Sequence, residues 1–160
     1  MEKSPFALPL LLASIEMGYG HLRAAQPLAD YLGTPLVRID RPPVADAEEE
    51  KEWSRLRKVY ENLSRLSQVP SLGAPLRWLL ERATAIPHLH PLRDLASPTL
   101  ASHLQEWLIA ERGLGRGLVS ELQRNGCALL TTHFIPALAA DRAGHRKIYC
   151  VVTDADINRV

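Results

Sequence analysis

Residues 6–33 read FALPLLLASIEMGYGHLRAAQPLADYLG, and this stretch decides the fold. Phe6 to Ser14 is a continuous apolar run without polar alternation, as expected of a strand covered on both faces in a parallel sheet. Pro9 argues against a central ladder position in the first half of that run. Glu16-Met-Gly-Tyr-Gly-His21 then makes a glycine-bearing turn. Leu22, Ala25, Leu28, Ala29 and Leu32 recur at helical spacing up to Gly33, which suits a C-cap. Pro27 inside this pattern predicts either a kink or a helix that starts nearer Pro27 than Leu22. Pro35 to Asp40 reads as a second strand, closed by Arg41-Pro-Pro43, and completes a βαβ unit.

Outward from that unit the pattern turns helical from Ala45 to Asn125. Apolar stripes run through Trp53, Leu56, Val59, Tyr60, Leu63 and Leu66, then through Leu72, Leu76, Leu79, Leu80 and Ala83. A third contains Leu100, Leu104, Trp107 and Leu108, and a fourth Leu114, Leu118, Val119 and Leu122. Packing into the core is the expectation for these stripes, which carry all three tryptophans. Ile86 to Pro98, punctuated by proline, reads as an irregular connector, and Glu48-Glu-Glu50 as the acidic first turn of a helix. Cys127 to Thr131 returns to a strand, Ile135 to Ala140 to a short helix, and Lys147 to Thr153 to a strand. The sum is an α/β, Rossmann-like three-layer domain over residues 1–160. Its sheet has four or five mainly parallel strands, with a helical insertion at about 45–125 after the second. The chain stops at Val160 with no helix to cover the last strand, an ending that looks like a cut.

Charge excludes some partners. Nineteen Lys and Arg against eighteen Asp and Glu give a net +1, so there is no bulk electrostatic case for nucleic acid or an anionic membrane surface. Cys127 and Cys150 are too few for a disulfide framework, which favours a reducing, cytoplasmic setting. Phe6 to Ala13 is far short of the ~20 residues that span a bilayer.

The turn at 14–21 carries the most chemistry. In a doubly wound sheet it lies at the carboxyl edge, where Gly18 and Gly20 let a phosphate approach backbone N–H groups at a helix N-terminus. An imidazole titrates near ~6.5 in water, so His21 suits a general base toward a hydroxyl. A plain tight turn with His21 capping the helix explains the same residues. A dinucleotide reading also competes, because Gly18-Tyr-Gly20 matches part of G-x-G-x-x-G and Asp40 ends the second strand where a ribose ligand belongs. Its third glycine position is Arg23. His133 follows a strand and faces the same edge if the sheet is parallel; the competing reading is a partly buried histidine bonded to backbone. Asp154-Ala-Asp156 reads as an Asx turn or helix cap more simply than as a metal motif, and His88 with His90 as a solvated loop. His103 and His145 read as surface residues.

Ser14-Ile-Glu-Met-Gly-Tyr-Gly-His-Leu-Arg-Ala-Ala25 resembles the first glycine-rich loop of GT-B glycosyltransferases in the monogalactosyldiacylglycerol synthase and processive diacylglycerol glucosyltransferase group. Thr131-Thr-His-Phe-Ile-Pro-Ala137 and Val151-Val-Thr-Asp154 resemble two further motifs of that group, in the same order. The resemblance covers essentially the whole chain as one amino-terminal GT-B-like domain, and it implies sugar transfer from a nucleotide sugar to a lipid-like or other hydroxyl acceptor. It implies His21 as the catalytic base, and Gly18, Tyr19, Gly20, His133, Thr153 and Asp154 as substrate-binding residues. No tightly bound cofactor and no metal are expected; a UDP-sugar is the expected donor. The carboxyl-terminal donor-binding domain of such enzymes is absent here, so a partner in cis or in trans is expected, with peripheral membrane contact. A non-catalytic subunit of a split transferase fits the same features. Asp156-Ile-Asn158-Arg159 departs from the histidine and tryptophan that usually follow V-T-D in the group.

Overall fold

Among the described residues, four short parallel strands form one sheet. β1 (Leu10–Ser14) lies between β2 (Leu36–Arg38) and β3 (Ala128–Thr131), and β4 (Ile148–Cys150) extends the sheet beyond β3, giving the order β2-β1-β3-β4. The computed structural model describes residues 9–17, 19–66, 78, 100–151 and 153. Leu12 is opposite Leu36 on one side and Leu130 on the other, so β1 is hydrogen-bonded along both edges. Leu12, Ala13 and Ser14 are fully buried, which explains the unbroken apolar run: a central parallel strand has no wet face.

The first crossover is α1 (Tyr19–Leu32), ended by Gly33 at φ +59, a left-handed conformation that glycine adopts without steric penalty. This helix starts eight residues before Pro27, so the expectation of a start near the proline fails. Pro27 is on the exposed face, where water can meet the carbonyl that the missing N–H leaves.

Between β2 and β3 the chain passes through α2 (Ala47–Leu66), α3 (Leu100–Ala110) and α4 (Arg116–Asn125). Asp46 caps α2, its Oδ1 accepting the N–H groups of Glu48 and Glu49 at 3.0 and 2.9 Å. Helix α4 is part of the domain core: its Leu118 and Leu122, with Leu114 just before it, pack with Ala13, Leu129 and Ile135. The outer helices bury less than their stripes suggested. Trp53 is in the core, but Val59, Tyr60, Leu104, Trp78 and Trp107 are exposed, with the Arg112 guanidinium over the Trp107 ring. The stripe at 72–83 and the connector at 86–98 lie outside the described residues, Trp78 excepted. After β3, α5 (Phe134–Arg142) leads to β4.

Glu49 locks α2 onto α4. Its buried carboxylate accepts N–H groups from Gly115 (2.7 Å), Gly117 (2.9 Å) and the Trp53 indole (3.1 Å). Burial pushes this carboxyl up, while the same three donors pull it back. Gly117 is irreplaceable on space alone, since a Cβ there would sit 2.1 Å from the Val44 carbonyl oxygen. The acidic first turn of α2 is therefore only partly a solvated one.

Candidate functional site

The chain runs from β1 to β2 on one side and returns to β3 on the other side of β1. The loops that leave β1 and β3 diverge at this reversal, the topological switch point where open α/β sheets bind ligands. His21, in the first turns of α1, and Thr132-His133, after β3, meet there.

Thr132 holds His21 by two bonds. The Thr132 carbonyl oxygen is 2.6 Å from His21 Nδ1, and the Thr132 hydroxyl donates to the His21 carbonyl at 2.9 Å. Because that hydroxyl proton is used, the buried Ser14 hydroxyl 3.0 Å away must be the donor to Thr132 Oγ1. A carbonyl only accepts, so His21 Nδ1 carries a hydrogen, and the Thr153 hydroxyl oxygen 3.0 Å away shares it. A neutral His21 then keeps its lone pair on Nε2.

His133 is fixed in the opposite sense. It is the N-cap of α5, and its Nδ1 accepts the Ile135 N–H at 3.1 Å. Its own backbone N–H donates to Thr131 Oγ1, whose hydroxyl returns a bond to the His133 carbonyl. His133 is 3% exposed, and its ring lies 4.5 Å, centroid to centroid, from the His21 ring at 69°. Burial, and secondarily the nearby His21, lower the His133 pKa to about 3, so it is neutral across the physiological range.

Of the residues anticipated from sequence, His21, His133 and Thr153 are brought together. Tyr19 opens α1 and Gly20 is in its first turn, where an added Cβ would meet nothing within 4 Å. Gly18, Asp154 and the His88–His90 pair lie outside the described residues. Ser14 and Thr132 are parts of the site that sequence reasoning missed; the only signal was a hydroxyl at each strand end. His145 departs from its expected surface role: its Nε2 is buried and unpartnered among the described residues, in a cavity of about 130 Å³ lined by Val119, Leu122 and Gln123.

Beside the first turn, Glu16 Oε2 accepts from Arg38 (2.8 Å), Arg41 (2.7 Å) and Arg57 (2.9 Å). The Arg38 hydrogen bond leads in holding the Glu16 carboxyl below the usual range. Arg38 also takes both Asp40 oxygens, at 3.0 and 2.9 Å. Asp40 is therefore engaged by a guanidinium where the dinucleotide reading needs a free ribose ligand. Among the described residues no cluster of three or more His, Cys, Asp or Glu is arranged for a metal, and no helix is long and apolar enough to cross a membrane.

Fold and site together define an α/β, Rossmann-like domain with a paired-imidazole site at its switch point. No family model, curated protein or solved structure matches the chain.

Proposed function

We propose that this chain is the acceptor-side domain of a nucleotide-sugar-dependent glycosyltransferase, with His21 as general base toward an acceptor hydroxyl. One observation carries the reading: His21 Nδ1 is bound to the Thr132 carbonyl and Thr153, which puts the lone pair of the neutral ring on Nε2 at the switch point. The acceptor O–H gives its proton to Nε2 while the oxygen attacks the anomeric carbon of the donor. The sugar–phosphate bond breaks, and the nucleoside diphosphate leaves with the bonding electrons. The N-terminus of α1 at Gly20, with Gly18 preceding it in sequence, serves as a cradle for phosphate or acceptor. The donor nucleotide requires a second domain in cis or a partner subunit in trans. Exposed Leu104 and Trp107 on α3 give peripheral membrane contact an apolar surface.

The test uses the natural gene product with UDP-sugars and hydroxyl acceptors, including diacylglycerol. His21→Ala lowers turnover by at least ~10²-fold, the usual scale for a general base. Near-normal turnover in that variant removes His21 from the role, and absence of transfer by the wild type with every pair refutes the transferase.

A further inference from the structure

The hydrogen bonds at the switch point place two protons in opposite senses. The Ile135 N–H donates to His133 Nδ1, so the hydrogen of the neutral His133 ring is on Nε2. In His21 the hydrogen is on Nδ1 and the lone pair on Nε2. Neither Nε2 has a hydrogen-bond partner among the described residues, and the rings are 4.5 Å apart. A hydroxyl group has one hydrogen to give and lone pairs to receive, the complement of this arrangement.

We infer that His21 Nε2 and His133 Nε2–H form a matched acceptor–donor pair that binds one hydroxyl group, with His133 contacting the substrate oxygen directly. The name "acceptor" for that group rests on the proposed transferase reading; the binding itself does not. When the proton moves to His21, charge develops on the oxygen, and a hydrogen bond from the His133 N–H stabilises it. The low basicity of His133 keeps this donor neutral beside an imidazolium, where a second cation would be repelled. The pair also selects: an alkylammonium has no lone pair for the His133 N–H, so hydroxyl ligands are favoured over protonated amines.

The two nitrogens of His133 are separable by substitution. Asn reproduces the Nδ1 position and keeps the helix cap, while Gln reproduces the Nε2 position and keeps the donor. The ¹⁵N-histidine-labelled chain is examined by long-range ¹H–¹⁵N correlation NMR, with glycerol as the hydroxyl probe. His21 is expected as the Nδ1–H tautomer and His133 as the Nε2–H tautomer, with both Nε2 signals moving on one glycerol curve. His133→Asn should weaken glycerol binding at His21 about fivefold, the worth of one hydrogen bond, and His133→Gln should leave it within about twofold. An Nδ1–H tautomer at His133, a His21 signal that moves alone, equal weakening in both variants, or no shift at either ring overturns the inference. Concerted binding in a gene product that transfers no sugar upholds the pair and refutes the transferase instead.

Discussion

Acid should unfold this protein partly through one buried ring. His133 is neutral in the folded chain, with a pKa of about 3, against ~6.5 for an imidazole in the unfolded chain. Between those values the unfolded state binds one more proton than the native state, so stability rises with pH at up to ~1.4 kcal/mol per unit. The contribution is fully present above the unfolded pKa and is lost as pH falls from about 6.5 toward about 3. From pH 7 to pH 5 the integrated loss is about 2 kcal/mol. His133→Asn isolates it, because Asn is also a strong N-cap and its side-chain oxygen can accept the same Ile135 N–H. Urea unfolding of both proteins at pH 7 and pH 5, followed by far-UV circular dichroism, gives a double difference in which shared titrating groups cancel. The wild type should lose about 2 kcal/mol more than the variant. Equal losses within ~0.5 kcal/mol would mean that His133 does not resist protonation, and its role as a neutral donor would fall with it.

Three other perturbations follow from contacts already described. Gly117→Ala should cost at least ~3 kcal/mol or abolish folding, since its Cβ overlaps the Val44 carbonyl, whereas Gly20→Ala should leave the thermal midpoint unchanged or raised. A comparable loss in both would refute the packing argument. Glu49→Ala leaves three N–H donors without their carboxylate and should cost ~3 kcal/mol or more in urea unfolding; a loss below ~1 kcal/mol would show that the α2–α4 clasp is not structural. Thr132→Val strands the buried Ser14 hydroxyl and should cost ~1–3 kcal/mol, with Thr132→Ser recovering most of it; identical stabilities would refute the relay to His21.

The local sequence was explicit where physics is local. An apolar run without alternation marked a strand buried on both faces, and Gly33 marked the end of α1 because few other residues accept its positive φ. His21 and His133 were visible as imidazoles following strands. Of the two outcomes Pro27 allowed, a start near it did not occur: α1 begins at Tyr19, and the proline is on the exposed face, where water can meet the carbonyl left without its N–H. The stripes of α2 and α3 misled: periodicity shows which residues share a helix face, but not whether another element covers it, and Val59, Tyr60, Leu104 and Trp107 stay exposed.

Tertiary structure decided everything that depends on residues far apart in the chain. The order β2-β1-β3-β4 brings Thr132 to His21 across 111 positions, and that meeting sets which nitrogen of His21 holds the proton. Composition cannot encode a tautomer. By itself the chain specified two imidazoles, a glycine turn and the strands that precede them, and the local N-cap bond from the Ile135 N–H set the His133 tautomer; the crossover reversal set that of His21 by bringing it a backbone carbonyl, which can only accept.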